Sequence, residues 1–184
     1  MFGFAVWNEK EQTLMLARDF FGIKPVYYAQ IDGHFVFASE IKSILAFPGY
    51  ERKVNQQALE QYLSFQYSPL EETFFKGIYK LLPGHILIHR QGRFEIKEYF
   101  HPYLEPKNDP AGEIEAEALQ NRLRSVLRDS VEHHMLSDVE VGAFLSGGVD
   151  SGYLAAVSGA DQAFTVGFDE GERYNEVDRA KAVA

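Results

Sequence analysis

The sequence contains no cysteine among its 184 residues. Disulfide bonds, thiolate metal sites and thiol nucleophiles are therefore excluded for this chain. It also lacks any apolar run that approaches the ~20 residues needed for a membrane-spanning helix. Met1 opens directly on a strand-like pattern and not on a basic and apolar leader. These absences predict a cytoplasmic protein with no membrane partner.

Positive charge is also scarce, since 18 basic residues stand against 27 acidic ones and the formal net charge is −9. This balance argues against a nucleic-acid partner, which is held mainly through phosphate contacts. The histidines at 34, 85, 89 and 101 are scattered without the spacing of metal ligands. We therefore interpret them as surface or sheet-edge residues and expect small-molecule substrates.

A glycine-rich corner over residues 139–151 is the most informative stretch. The run VEVGAFL, which predicts a buried strand, leads into Ser146-Gly147-Gly148-Val149-Asp150-Ser151. The two glycines permit a tight turn and close approach of a ligand, and the helix that follows directs free N–H groups at it. For two glycines alone, a turn without a ligand is the simpler interpretation, but the whole hexad favours an anion site.

The corner has no lysine, so it does not match the phosphate-binding loop of nucleotide kinases. Asp150 stands close to where that lysine would be. A carboxylate beside a polyphosphate is repulsive unless a hard cation bridges the two groups. The order of residues therefore predicts Mg²⁺ held between Asp150 and phosphate oxygens.

Residues 146–151 resemble the SGGxDS loop of ATP pyrophosphatases, which cleave ATP between its α and β phosphates. The wider context from Ser137 resembles glutamine-hydrolysing asparagine synthetase. This resemblance implies ATP and pyrophosphate binding by Leu145, Ser146, Gly147, Gly148, Val149, Asp150, Ser151 and Val166, with Asp150 as the metal ligand. Plain core packing is the alternative for Leu145 and Val166. Two departures are Gly152, where the family usually carries Ser or Thr, and Asn175, where it usually carries Asp.

The first hundred residues alternate short apolar runs with turn residues. They predict a four-stranded meander over residues 1–38, with hairpin turns at 8–12 and Asp32-Gly33. Two helices should follow, one over 40–46 capped by Ser39 and one over 56–65 capped by Asn55. Leu59, Tyr62 and Leu63 are predicted to face the sheet. A last hairpin, over 86–99, should turn at Gln91-Gly92.

Three segments of this region resemble the second half of the glutaminase domain of asparagine synthetase. They are Arg18-Asp19 with Gly22 and Pro25, the run Phe37 to Lys42, and Leu82-Pro83-Gly84-His85. The resemblance implies a cysteine nucleophile that this chain does not contain, so we expect no glutaminase activity from it. A catalytic role for Arg18 and Asp19 is one reading, but an ion pair that clamps a strand end is favoured.

The region 101–112 has three prolines, a glycine and little apolar content, which predicts a mobile linker. Residues 113–134 carry apolar side chains at a helical period and predict one amphipathic helix. His133 and His134 near its end suit the negative pole of the helix dipole. After the corner, a helix ending at Ser158-Gly159, a strand over 163–168 and a last helix from 174 to 184 complete a parallel α/β unit.

The predicted fold is α+β, a partial glutaminase-type layer structure over 1–100, followed after the linker by the start of an α/β parallel-sheet ATP pyrophosphatase domain over 113–184. The resemblance implies a fragment of an enzyme that makes asparagine from aspartate, ATP and glutamine, with a homodimer as a further possibility. One alternative is a related amidotransferase that activates another carboxylate, such as a peptide, a β-amino acid or a sugar acid. Another is a non-catalytic protein that keeps the scaffold as a binding module.

Overall fold

A computed structural model describes residues 1–103, 116–168 and 175–184. The chain divides into two compact units, Met1–Pro106 (unit 1) and Lys107–Ala184 (unit 2). Helices and antiparallel sheets mix along the chain, which confirms the α+β class. No helix in the described ranges combines the length and the apolar character needed to cross a membrane. The predicted linker lies almost wholly outside the described residues.

Unit 1 contains seven strands and two helices in its described part. In chain order they are β1 (Gly3–Asn8), β2 (Thr13–Arg18), β3 (Tyr27–Ile31), β4 (His34–Ala38), α1 (Ile41–Leu45), α2 (Gln56–Phe65), β5 (Ile78–Lys80), β6 (His85–Arg90) and β7 (Arg93–Glu98). The hairpin turns form where the sequence predicts them. Asp32 and Gly33 have φ of 46° and 81°, and Gln91 and Gly92 have 50° and 74°, the left-handed pair that matches strand twist.

The prediction of one meander is wrong, because the first four strands belong to two sheets. One sheet has the order β1-β2-β6-β7 and the other the order β4-β3-β5, both antiparallel. Leu16 of β2 lies opposite Leu87 of β6, and both side chains are fully buried. Pairing β2 with β6 therefore buries apolar surface, while the segment after Arg18 carries the chain to the second sheet.

Two apolar cores fill unit 1. One contains Leu16, Val26, Tyr28, Leu81 and Leu87. The other packs α1 against the second sheet through Ala29, Ile31, Ile44 and Ile78. Helix α1 begins after Glu40 without a side-chain cap, so the predicted cap by Ser39 is wrong.

Helix α2 has the predicted cap but not the predicted buried face. The Asn55 side chain accepts a hydrogen bond from the Ala58 N–H, and its own amide donates to Glu72. These bonds fix the start of the helix so that Ala58 is fully buried. Leu59, Tyr62 and Leu63 are 41%, 44% and 74% exposed, so the expectation that they face the sheet is wrong.

Unit 2 contains α3 (Ala116–His134), β8 (Ala143–Phe144), α4 (Val149–Ser158), β9 (Ala163–Phe164) and α5 (Val177–Val183) in its described part. Strands β8 and β9 pair in parallel. Both are shorter than predicted, and Phe144 is 81% exposed, so the expectation of a buried strand is wrong. Leu145, which follows β8, is buried. Helix α4 ends at the left-handed Gly159, as the Ser158-Gly159 pair predicts.

Candidate functional site

The corner between β8 and α4 is shaped by Gly147. Its φ of +74° lies in the left-handed region that favours glycine. A Cβ placed on Gly147 would lie 2.6 Å from Cβ of Arg179 and 2.9 Å from the backbone nitrogen of Ala180. Helix α5 therefore packs directly on the turn, and both backbone conformation and available space require glycine at this position.

Gly148 has a different environment. As the N-cap of α4 it has φ of −80° and ψ of 162°, which any residue can adopt. A Cβ there would meet nothing closer than Ser146 Oγ at 3.5 Å. The chain itself therefore tolerates a side chain at residue 148, and the space left open beside its Cα is available to a ligand.

Two serines at opposite ends of the loop close it. Ser146 Oγ and Ser151 Oγ lie 2.9 Å apart, and the Ser146 N–H donates to Ser151 Oγ at 3.2 Å. The Ser151 hydroxyl also donates to the Gly148 carbonyl at 3.2 Å. These bonds hold residues 146–151 in one compact turn whose geometry does not depend on a bound molecule.

The N-terminus of α4 opens at this turn. Its N-cap, Gly148, contributes no side-chain hydrogen bond to the first-turn amides. A helix leaves its first N–H groups without intrahelical acceptors and carries partial positive charge at that end. An uncapped N-terminus beside open space and two hydroxyl groups is chemically suited to an anion.

Asp150 lies in the first turn of α4 and is exposed. It lines an open groove of about 480 Å³ between α3 and α4, together with Leu123, Leu127 and Tyr153. No cluster of three or more potential metal-ligating side chains occurs in the parts of the chain that the structure describes. One carboxylate nevertheless fits Mg²⁺ that arrives with a polyphosphate, because such ions take most of their ligands from phosphates and water.

The remaining residues that were predicted to bind ATP are Leu145, Val149 and Val166, which lie beside the same corner. Leu145 is 4% exposed, whereas Val149 and Val166 are 88% and 63% exposed. Thr165, which the sequence did not single out, joins the two strand ends, because its hydroxyl donates to the Leu145 carbonyl at 2.7 Å. Strand pairing alone brings Thr165 beside Leu145, twenty residues earlier, so no local pattern indicated the contact.

Arg18 and Asp19 in unit 1 form separate networks and not the predicted ion pair. Arg18 donates to the carbonyls of Gly22, Lys24 and Leu81 at 2.7, 3.0 and 2.7 Å. No ion pair between Arg18 and Asp19 occurs among the described side chains. Each residue instead fixes backbone groups, which is a structural role.

The Asp19 carboxylate is buried among backbone donors. It accepts hydrogen bonds from the N–H groups of Phe2, Phe21, Ile23 and Lys24 at 2.9 to 3.2 Å. Burial opposes ionisation, but these four donors outweigh it and lower the pKa of Asp19 to about 2. The charged carboxylate thereby organises the connection between the two sheets.

Comparison with protein families matches the earlier and later parts of the chain to two different families. Residues 1–100 match the family described as glutamine amidotransferase domain, and residues 122–184 match the family described as asparagine synthase.

Individual relatives match across the division between the two families. Asparagine synthetase [glutamine-hydrolyzing] 1 of Bacillus subtilis is 38% identical over the whole chain, and asparagine synthetase [glutamine-hydrolyzing] 3 of the same organism is 32% identical over 95% of it. The chain spans 29% of the length of each. Amidase chyE of Penicillium rubens is 36% identical over 85% of the chain, which covers 23% of that protein.

The first match covers more than half of the chain and begins at its first strand. It contains the Arg18 and Asp19 networks and both sheets of unit 1. The second match contains β8, α4, β9 and α5, and so the corner at residues 146–151. On this evidence the chain belongs to the glutamine amidotransferase domain family, and its later part matches asparagine synthase.

Proposed function

We propose that this chain is part of an enzyme that makes asparagine from aspartate, with glutamine as the nitrogen donor and ATP as the energy source. In this reaction the β-carboxylate of aspartate attacks the α phosphorus of ATP, and the bond between the α and β phosphates breaks. Pyrophosphate leaves, and ammonia from glutamine then displaces AMP from the acyl-adenylate. The proposal draws on both family matches and on relatives named as glutamine-hydrolysing asparagine synthetases.

The observation that carries the proposal is the preformed corner at residues 146–151. Ser151 closes the turn through three hydrogen bonds, Gly148 leaves space beside its Cα, and the α4 N-terminus lacks a side-chain cap. Such a corner supplies amide and hydroxyl donors to the pyrophosphate as negative charge develops on it. Leu145 and Val166 then border the adenosine part of ATP.

We assign Asp150 as the residue of this chain that would hold Mg²⁺ against the phosphates. When bound, Mg²⁺ neutralises charge on the phosphate oxygens and makes pyrophosphate a better leaving group. Without a cation, the Asp150 carboxylate repels a polyphosphate. The contribution of Asp150 to binding should therefore change sign with the metal.

The test is the binding of inorganic pyrophosphate and ATP to the full chain and to its Asp150→Asn variant, measured by titration calorimetry. With Mg²⁺ we expect the variant to bind about tenfold more weakly, which is the affinity change that about 1.4 kcal/mol produces. With a chelator we expect no loss, because removing the charge also removes the repulsion. Asp161→Asn, at an exposed residue after α4, is the matched control. Equal losses in both conditions would contradict the metal role.

A second candidate is an amidotransferase that activates a carboxylate other than that of aspartate. The match to amidase chyE of Penicillium rubens favours it, because that protein shares 36% identity with this chain under a different name. Both candidates use the same ATP corner. Assaying ATP-dependent amide formation by the whole protein, with aspartate and with other carboxylates in turn, separates them.

A further inference from the structure

The groove between α3 and α4 in unit 2 has two halves of different character. The apolar half, of about 480 Å³, is lined by Leu123, Leu127, Val149 and Leu154, with Gln120 and Asp150 beside them. The cationic half, of about 490 Å³, is lined by Arg124, Ser125, Arg128, Tyr153 and Val157. Arg124 and Tyr153 line both halves, so the groove is continuous from one half to the other.

The side chains of the apolar half remain open to solvent. Leu123 is 56% exposed, Leu154 is 48% exposed and Val149 is 88% exposed. Removing apolar area of this kind from water is favourable. Ligand sites in proteins commonly combine such an apolar lining with a few polar groups that orient the ligand. The apolar half is therefore suited to the apolar body of a small molecule.

The cationic half presents two guanidinium groups without a carboxylate between them. Arg124 and Arg128 lie one turn apart on α3, a spacing at which like charges repel each other. Glu132 lies one further turn along, but neither arginine forms an ion pair with a carboxylate in the part of the chain that the structure describes. An anion held between the two arginines removes their repulsion, and their planar sets of N–H donors match the oxygens of a carboxylate, sulfonate or phosphate.

We propose that this groove binds an amphiphilic anion, a small molecule with one such anionic group and an apolar body of ring or acyl-chain size. The anionic group lies between Arg124 and Arg128, and the body covers Leu123 and Leu154. Asp150 lines the apolar half and not the cationic half, so its charge disfavours the reverse orientation. This site is distinct from the corner at residues 146–151 and does not depend on the proposed function.

The first test compares ligands that differ in one property at a time, by titration calorimetry with the full chain below their micelle-forming concentrations. Decanoate should bind, and butyrate, which has the same head and a shorter body, should bind at least about tenfold more weakly. Decyltrimethylammonium has the same body and the opposite charge. It should also bind at least about tenfold more weakly than decanoate, although the net charge of the chain is −9 and attracts cations in general.

Three results of this test would overturn the inference. One is the absence of decanoate binding. Another is equal binding of the two decyl ligands, which would show an apolar surface without selectivity for charge. The third is binding of inorganic phosphate as tight as that of decanoate, which would show a simple anion site that makes no use of the apolar half.

The second test locates the ligand with variants of α3. Arg124→Gln and Arg128→Gln should each weaken decanoate binding about three- to tenfold, the range that one net hydrogen bond produces. Leu123→Gln should weaken it to a similar extent. Arg122→Gln and Val126→Gln are the matched controls, because both residues are exposed on α3 and line neither half of the groove. Far-UV circular dichroism verifies that each variant keeps its helices. Equal losses in the controls and in the groove variants would refute the assignment.

Discussion

Asp19 shows how one buried charge can determine a connection. Four backbone N–H groups donate to its carboxylate, and three of them, those of Phe21, Ile23 and Lys24, lie in the segment that follows β2. Hydrogen bonds to a charged acceptor are stronger than those between neutral groups. The negative charge of Asp19, and not only its shape, should therefore stabilise unit 1.

We expect Asp19→Asn to lower the free energy of unfolding of unit 1 by about 2 to 4 kcal/mol, because the new amide N–H₂ points at donors and leaves some of them unsatisfied. Urea unfolding followed by fluorescence of Trp7, the one tryptophan of the chain, measures this. Glu9→Gln, at an exposed residue of the first turn, is the control and should change little. Equal effects of the two substitutions would show that the charge at residue 19 is unimportant.

The same carboxylate predicts a pH dependence. The pKa of Asp19 is about 2 in the folded chain and 3.8 ordinarily. A depressed carboxyl pKa stabilises the fold above its ordinary value, and the stabilisation is lost as the pH falls toward the folded value. The difference in unfolding free energy between the unmodified chain and Asp19→Asn should therefore be constant at neutral pH and shrink between about pH 4 and pH 2. A difference that is independent of pH would contradict the assignment.

Gly147 and Gly159 form a natural pair for testing what the corner requires. Both have positive φ, but a Cβ on Gly159 would meet nothing within 4 Å, whereas one on Gly147 would collide with α5. Gly159→Ala should therefore cost about 1 kcal/mol from backbone strain alone, and Gly147→Ala should cost more. Thermal unfolding followed by far-UV circular dichroism compares them. Equal costs would mean that α5 does not pack on the turn.

Among elements, the segment between β2 and β3 determines how the sheets of unit 1 are connected. Arg18, at the end of β2, donates to carbonyls within the segment and to Leu81, which follows β5 of the other sheet. One planar guanidinium thus joins two sheets that share no strand. The geometry suits arginine in particular, because its donors diverge in a fixed plane.

We expect Arg18→Lys to destabilise unit 1 by about 2 kcal/mol, although it keeps the charge, because an ammonium group cannot reach all three carbonyls at once. Arg93→Lys, at an exposed residue of β7, is the matched control and should be close to neutral. Urea unfolding followed by Trp7 fluorescence again gives the comparison. A lysine variant as stable as the unmodified chain would show that the charge alone suffices.

At the scale of the whole molecule, the buried apolar residues are divided unequally. Among the described residues, eleven lie in unit 1 and only Leu145 and Ala180 lie in unit 2. Helix α3 has no buried residue, and its Leu119, Leu123 and Val126 are more than half exposed. Stability depends on the apolar area removed from water, so unit 2 should be the less stable unit.

We therefore expect thermal unfolding of the 184-residue chain in two steps, with unit 2 first. Far-UV circular dichroism reports mainly on unit 2, because α3 alone has 19 residues against 5 in α1 and 10 in α2. Fluorescence of Trp7, in β1, reports on unit 1. The ellipticity should fall at a lower temperature than the fluorescence changes. Coincident transitions would show that the two units unfold as one.

Several features of this chain follow from the sequence alone because they depend on a few neighbouring residues. Asp32-Gly33 and Gln91-Gly92 form the hairpin turns that their residue types favour, and Asn55 caps α2. The hexad from Ser146 to Ser151 likewise contains its own closing hydrogen bonds. In each case the required φ angles or polar partners lie within five residues, so local chemistry is sufficient.

Other features were decided only by tertiary structure. The strand pattern over residues 1–38 is compatible with a meander, and only the burial of Leu16 opposite Leu87 selects β6 as the partner of β2. Helix α2 carries apolar side chains on more than one face, and the anchoring of Asn55 to Glu72 selects Ala58 for burial. Thr165 reaches the Leu145 carbonyl only because β8 and β9 pair. These outcomes depend on contacts between residues distant in sequence. The local pattern allows several arrangements equally, and these arrangements differ in the apolar area that they bury and in the backbone groups that they satisfy.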